Sequence, residues 1–193
     1  MSLIVFFLAF YWLTLLFLAL TLFVCYFFRN PKRDTPKEAG TIIAPADGRI
    51  IAIEDTIHPL LSGKLKKIST FMSVLNCHVN RVPVDGSVEN VAYKPGRFFV
   101  ASLDKASEHN ERNTIIMKDG SDRRLAIVQI AGVVARRIVC YLKEGACAGR
   151  GERLGLIRFG SRVDLFLQAD GFDVRVKKGD RVRAGETILG RYA

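Results

Sequence analysis

The strongest constraint on this chain is an uninterrupted apolar segment at its N-terminus. Residues 2–28 contain no charged side chain and are dense in leucine, phenylalanine and valine. About 20 apolar residues in a helix span the hydrocarbon core of a bilayer, so this segment is long enough to cross with some tilt. A signal peptide is disfavoured because no basic residue precedes the segment and no small-residue cleavage site follows it. We therefore predict a transmembrane anchor over residues 1–28.

Basic residues follow the anchor directly. Arg29, Lys32, Arg33 and Lys37 lie on its C-terminal side, against none on the other. Because loops rich in lysine and arginine stay in the cytoplasm, we expect a cell-membrane protein whose body is cytoplasmic. Residues 29–40 then form a basic linker, and residues 41–193 form one domain.

The charge of the chain indicates its partners. The formal net charge is +10, all of it after residue 28. Such a surface attracts polyanions. The chain shows no zinc-finger pattern, no RNA-binding aromatic motif and no long basic run, so next to an anchor we expect anionic lipid rather than nucleic acid. The spacing of the cysteines and histidines is typical of no metal site, and no metal is expected.

The domain has the pattern of a mostly β protein. Short apolar runs separated by Gly and Asp turns predict a sandwich or barrel with few short helices, the best candidate being 100–109. Residues 174–186 look like the hairpins of lipoyl-type domains. Asp47-Gly48 and Asp85-Gly86 lie in similar contexts and are interpreted as hairpin-type turns. The predicted strands are 41–44, 49–53, 65–71, 86–92, 114–118, 125–130 and 137–141.

The pair Gly160-Ser161 has a chemistry of its own. A serine hydroxyl can attack the carbonyl of a preceding glycine, which has no side chain to hinder the approach. The resulting ester can eliminate to dehydroalanine, which hydrolyses to a pyruvoyl group, an electron sink made from the chain itself. Most Gly-Ser pairs are merely turns, so the surrounding motifs decide the interpretation.

Three motifs precede this pair. They are APADG at 44–48, FMSVLNCHVNRVPVDG at 71–86, and YKPGRF at 93–98 followed by NERN at 110–113. Together with FGSRVD at 159–164, and in this order, they resemble the phosphatidylserine decarboxylase family, especially its short membrane-anchored branch in bacteria and archaea. The resemblance covers the chain from about residue 28 to its C-terminus.

The resemblance implies a pyruvoyl-dependent lyase made as a proenzyme. Cleavage between Gly160 and Ser161 would give a β chain of residues 1–160 and an α chain of residues 161–193, with Ser161 becoming the pyruvoyl cofactor. The amine of a serine phospholipid would form a Schiff base with the pyruvoyl ketone, carbon dioxide would leave, and the ethanolamine lipid would be released. Phosphatidylserine and archaetidylserine share this head group, so both stay open as substrates. A homodimer stays open as well.

The same motifs supply catalytic candidates. His78 is interpreted as the proton donor that also orients the substrate carboxylate. Asp47 is either a plain turn residue or, as in longer family members, part of a triad-like set with a histidine and the serine. In those members the histidine of this set is the second one of a His-x-x-His pattern. This chain has Arg81 at the position of that second histidine. Either His78 serves both steps, or cleavage relies on strain and an oxyanion pocket.

Arginines are candidates for holding the lipid phosphate. Arg81, Arg97 and Arg112 carry guanidinium groups that match phosphate bidentately, although a surface salt bridge is the plain alternative for each. Asn110 is interpreted as organising a loop at the substrate site.

Two other functions compete with the lyase. A non-enzymatic, membrane-anchored lipoyl-like adaptor fits the anchor and the C-terminal hairpins, but it leaves His78 and the motif at 110–113 unexplained. A serine hydrolase would be expected to have the pattern Gly-x-Ser-x-Gly around Ser161, and this chain lacks that pattern.

Overall fold

The computed structural model describes residues 3–96, 110–132, 137–158 and 160–192, with side chains from residue 10 onward. The predicted helix at 100–109 and the candidate Arg97 lie outside the described residues.

The apolar segment forms one helix, α1, over Leu3–Phe27. The segment Phe10–Phe27 of this helix has a mean hydropathy of 2.1 and is long enough to cross a membrane. The hydroxyls of Thr14 and Thr21 donate to the carbonyls of Phe10 and Phe17, so the polar groups of these side chains are satisfied within the helix. The predicted N-terminal apolar helix is therefore confirmed, and it is compatible with a membrane anchor.

The rest of the described chain is built from β-strands in three antiparallel sheets. The strands are β1 (Thr41–Ile43), β2 (Gly48–His58), β3 (Leu61–Met72), β4 (Val79–Arg81), β5 (Gly86–Lys94), β6 (Arg112–Asp119), β7 (Arg124–Ile130), β8 (Ile138–Cys140), β9 (Cys147–Ala148), β10 (Arg153–Ile157), β11 (Ser161–Gln168), β12 (Phe172–Val174), β13 (Arg181–Val182) and β14 (Ile188–Tyr192).

The largest sheet has eight strands in the order β13-β2-β3-β11-β7-β6-β5-β9. Two three-stranded sheets, β1-β14-β12 and β4-β10-β8, complete the domain. All three sheets contribute to one main core, represented by Ile42, Leu154, Val163 and Leu189. A smaller apolar cluster that includes Leu65, Ile116 and Phe166 packs separately. The prediction of a mostly β domain is confirmed.

The strand that carries the Gly-Ser pair was not among the predicted strands. β11 lies between β3 and β7, near the middle of the large sheet, and is buried almost throughout. Val163 and Leu165 point into the main core, whereas Phe166 belongs to the smaller cluster. Since side chains alternate across a strand, Ser161 shares its face with Val163 and Leu165.

The two Asp-Gly pairs are not hairpin turns, and that interpretation is wrong. β1 pairs with β14, whereas β2 pairs with β3 and β13, so Asp47-Gly48 carries the chain from one sheet to another. The turn before β5 also changes sheets, because β4 pairs with β10. Instead, the two segments contact each other: Arg81 N donates to Pro45 O at 2.8 Å and Ile43 N to Pro83 O at 3.0 Å. This pairing brings Asp47 close to the strand that follows His78.

Candidate active site

Gly160 and Ser161 form the entry into the central strand. Gly160 has φ +59°, in the left-handed region that favours glycine, and Ser161 lies opposite Met72 of β3. A Cβ atom at residue 160 would meet no other atom within 4 Å. Glycine is therefore required here by the backbone conformation rather than by lack of space.

The hydroxyl of Ser161 is buried and makes no hydrogen bond to a described residue. The residue is completely inaccessible to solvent, and its Oγ has no hydrogen-bond partner among the described residues. A buried hydroxyl without a partner costs about 1–3 kcal/mol, so native proteins rarely keep one without a use. An Oγ that no described residue engages, next to a glycine carbonyl, is suited to nucleophilic attack.

His78 is also buried, immediately before β4. Its Nδ1 lies 2.9 Å from Asn76 O. Because a carbonyl only accepts hydrogen bonds, Nδ1 carries the proton and the lone pair lies on Nε2. Nε2 has no partner within the described part of the chain. His78 thus presents a proton acceptor that no described residue uses.

The end of α1 covers the His78 ring. Phe27, the last residue of the helix, is 1% exposed, and its ring centroid lies 4.2 Å from that of His78. Burial lowers the pKa of His78 to about 4; the bond to Asn76 and the charge of Asp47 oppose this, and Arg29 adds to it. The imidazole is therefore neutral at pH 7. In the intact chain it accepts a proton, and it can donate one only after that.

Two contacts bring the His78 segment to the Ser161 strand. Ile157 N, four residues before Ser161, donates to His78 O at 3.4 Å. Asn80 Nδ2 lies 3.6 Å from the sulfur of Met72, which pairs with Ser161. Ser161 and His78 therefore share one region of the domain, although within the described chain no hydrogen bond joins Oγ to Nε2.

A buried amide network supports this region and was missed by the sequence analysis. Gln129 Nε2 donates to Asn80 Oδ1 at 2.9 Å, and Asn113 Nδ2 donates to Gln129 Oε1 at 3.1 Å. All three side chains are buried. Such networks fix the relative positions of the strands that carry them. The available signal was a lone glutamine in the apolar run at 125–130.

Asp47 is held by the linker. Arg33 Nη2 donates to both carboxylate oxygens, at 3.0 and 2.8 Å, and Ala184 N donates to Oδ1 at 2.7 Å. Burial works to lower the pKa of Arg33, but the carboxylate of Asp47 raises it overall. In the intact chain Asp47 is therefore an ion-paired residue that acts on His78 through its charge. No local pattern in the sequence indicates that Arg33 is its partner.

The two candidate arginines within the described residues have separate positions. Arg81 donates to Gly151 O at 2.8 Å, Asn30 Oδ1 at 2.9 Å and Pro31 O at 3.0 Å, so its guanidinium holds the linker. Arg112 lines a cavity of about 590 Å³ together with Asp164 and Phe166. Those two residues of β11 lie on the strand face opposite Ser161, so the structure does not bring Arg112 to the Ser161 hydroxyl.

Asn110 ties two segments together. It is buried, and its Nδ2 donates to Ala131 O, just after β7, at 2.7 Å. The contact fixes residue 110 beside the end of β7, and the role of Asn110 in organising a loop at the substrate site stays a prediction.

A buried ion pair fixes β11 just after the Gly-Ser bond. Arg162 Nε donates to Asp164 Oδ1 at 2.6 Å, and its Nη2 donates to Ser69 Oγ of β3 at 2.9 Å. Both charged residues are about 1% exposed, and a buried charge needs such pairing. The pair holds the first residues of β11 to β3, which would keep a new chain end at residue 161 in place.

Comparison with known proteins gives the family. The phosphatidylserine decarboxylase family model matches residues 20–190. A relative from Syntrophus aciditrophicus is 49% identical over 97% of this chain and 88% of its own length. Relatives from Syntrophotalea carbinolica and Ruegeria pomeroyi are each 51% identical, over 92% and 88% of this chain and 83% and 79% of their own lengths. All three carry the name phosphatidylserine decarboxylase proenzyme. The chain belongs to the phosphatidylserine decarboxylase family, whose members are decarboxylating lyases, and the word proenzyme implies processing of the chain.

Proposed function

We propose that this protein decarboxylates phosphatidylserine at a membrane after cutting its own chain between Gly160 and Ser161. Membership of the family supports the reaction and the substrate. The observation that carries the cut site is the Ser161 hydroxyl, which is buried, without a hydrogen-bond partner among the described residues, and preceded by a glycine in the left-handed region. The non-enzymatic adaptor has no comparable support.

Self-cleavage needs a proton acceptor and transfer of the Gly160 acyl group from the peptide nitrogen to the serine hydroxyl. Ser161 Oγ bonds to the carbonyl carbon of Gly160 while the peptide C–N bond breaks, which leaves an ester and a free amine on residue 161. His78 Nε2, neutral and without a partner in the described chain, is the candidate to take the hydroxyl proton and pass it to that amine. Removal of the Cα proton of residue 161 then expels the Gly160 carboxylate. Water converts the remaining dehydroalanine to a pyruvoyl group, with loss of ammonia.

The residues present fit a pyruvoyl group at position 161. When formed, the group supplies a ketone that takes up the electron pair left when carbon dioxide departs. The Arg162–Asp164 pair would hold the shortened strand, and His78 would carry the proton that replaces the carboxylate. Phe27 keeps water from the imidazole, and Asn76 fixes the orientation of the ring.

We further assign α1 as the anchor and the cytoplasm as the location of the domain. The apolar helix supports the anchor, and the arginines and lysines after it support the orientation. The substrate then lies in the cytoplasmic leaflet, which the C-terminal end of α1 reaches. Arg97 remains the candidate for the lipid phosphate, since Arg81 is engaged by the linker and Arg112 lines a cavity on the strand face opposite Ser161.

The first test is an intact-mass spectrum of the purified protein with and without borohydride. We expect two fragments split between Gly160 and Ser161, the smaller one blocked at its N-terminus and reducible, and turnover of phosphatidylserine in vesicles. Ser161→Ala should give an intact, inactive chain, whereas the matched change Ser121→Ala, in an exposed turn, should process normally. An active enzyme that remains a single full-length chain would overturn the self-cleavage proposal.

A further inference from the structure

A short turn beside α1 exposes two adjacent aliphatic side chains. In residues 73–76, Val74 is 43% and Leu75 is 61% exposed. The turn is closed by its own polar groups, since Ser73 N and Oγ donate to Asn76 Oδ1 at 2.9 and 2.8 Å. Single exposed aliphatic residues are common on protein surfaces, so the position of the turn must decide its meaning.

The turn is fixed to the end of the apolar helix. Arg29 donates from Nη2 to Leu75 O at 3.0 Å and from Nη1 to Tyr26 O at 2.8 Å. Its guanidinium also lies over the Tyr26 ring, 3.8 Å from the centroid. On the other side of the turn, Cys77 Sγ donates to Arg29 O at 3.2 Å. Val74 and Leu75 are thus held at the level of the last turn of α1.

The turn and the end of α1, which Arg29 links, both present exposed apolar side chains. At the helix end, Tyr26 and Phe28 are each 47% exposed. Tyrosine and arginine are typical of the boundary between lipid and water, where each has an apolar body and a polar end. We call Tyr26, Phe28, Val74 and Leu75 the apolar rim.

The rim also borders the candidate active site. Asn76, the last residue of the turn, binds Nδ1 of His78, and Phe27 packs on the same ring. We propose that Val74 and Leu75 insert into the lipid leaflet reached by the end of α1, so that the domain contacts the membrane at two points and the His78 site opens at the lipid surface. This proposal deepens the proposed function and rests on α1 being the anchor.

The second contact would set orientation rather than affinity. A transmembrane helix already holds the protein in the bilayer, and burial of two aliphatic side chains adds little to that affinity. Since Phe27 and Arg29 fix the domain to the helix end, the domain tilts together with α1 in the bilayer. A second contact beside the helix limits that tilt and keeps the site facing the head groups.

The insertion is tested by depth measurement in nanodiscs made of phosphatidylcholine and phosphatidylglycerol. In the full chain carrying Trp12→Phe and Ser161→Ala, the change Leu75→Trp gives a single reporter, and Ile57→Trp gives its control. Ile57 is 82% exposed at the far end of the β2–β3 hairpin, roughly 35 Å from the turn along β3. We expect the tryptophan emission of the Leu75→Trp chain to be blue-shifted. Lipids brominated near the carbonyl should quench it at least threefold more than the emission of the Ile57→Trp chain.

The outcomes separate this proposal from the proposed function. Equal quenching in the two chains overturns insertion. A blue shift in the Leu75→Trp chain without quenching by bromine also overturns it, since the tryptophan would then be buried by protein and not by lipid. Neither readout requires the enzyme to be active. In the active chain, Val74→Ser with Leu75→Ser should raise KM for vesicle phosphatidylserine about fivefold, with kcat and cleavage retained. The matched pair Ile57→Ser with Leu60→Ser should leave KM unchanged, and an equal rise in both pairs would contradict the proposal.

Discussion

His78 and His58 lie in different regions of the molecule, and both pack on a phenylalanine ring. The ring centroids are 4.2 Å apart for His78 and Phe27 and 4.7 Å apart for His58 and Phe166. Burial lowers the pKa of both histidines. A lowered pKa and an aromatic neighbour therefore do not distinguish a candidate active-site histidine from a structural one.

The differences lie in the remaining contacts. His58, at the tip of the β2–β3 hairpin, is half-buried, and its Nδ1 accepts a hydrogen bond from Leu60 N at 3.2 Å. His78 is fully buried, its Nδ1 is fixed by a carbonyl, and its Nε2 has no partner among the described residues. His58 serves the turn that it caps, whereas His78 retains an unused nitrogen in the region of Ser161.

The largest expected effect comes from exchanging each histidine for glutamine. His78→Gln should lower kcat for phosphatidylserine by about 100-fold or more, the usual contribution of a group that transfers a proton. His58→Gln should change kcat less than about twofold. Activity is measured on protein already cleaved, so that a processing defect is scored separately by mass. Full activity of His78→Gln would remove His78 from the site.

The next comparison concerns the two phenylalanines. Phe27→Ala should open the His78 ring to water, raise its pKa from about 4 toward the ordinary value of 6.5, and lower kcat about tenfold. Phe166→Ala, in the other region, should leave the pKa of His78 in place. NMR titration of labelled histidine in the Ser161→Ala chain measures this without any need for turnover. An unchanged His78 pKa in Phe27→Ala would show that the end of α1 does not control the ring.

Stability should depend on pH through His78 more than through His58. The folded pKa of about 4 lies below the unfolded value of 6.5, so between these values the unfolded chain binds the extra proton. The stability present above pH 6.5 is then lost as the pH falls to 4, by up to about 3 kcal/mol. Denaturant unfolding of Ser161→Ala should show this loss. His78→Gln should abolish most of this pH-dependent loss of stability, whereas His58→Gln should abolish little of it. A larger effect of His58→Gln than of His78→Gln would contradict the argument from burial.

The smallest expected effect is that of Arg81→His, which introduces the His-x-x-His pattern of longer family members. Since Arg81 binds Gly151, Asn30 and Pro31, we expect the change to release the linker and cost about 1–3 kcal/mol. Cleavage should not become faster, as followed by a time course of mass spectra on newly made protein. A clear acceleration would mean that residue 81 reaches the cleavage site. Arg153→His, on neighbouring β10, is the control.

Much of the fold could be predicted because its signals are local. The apolar helix follows from an uncharged segment, and the seven predicted strands correspond to β1, β2, β3, β5, β6, β7 and β8. The order of four motifs was enough to indicate the family, which the comparisons then established.

The composition of the site depended on contacts between residues far apart in the chain. Arg33 with Asp47, Arg81 with the linker, and Phe27 with His78 each join segments that no local pattern connects. The hairpin interpretation of the two Asp-Gly turns failed for the same reason, since strand partners are chosen by the whole sheet. Local propensity and hydrophobic period specify an element, but which side chains meet is decided only when the elements pack.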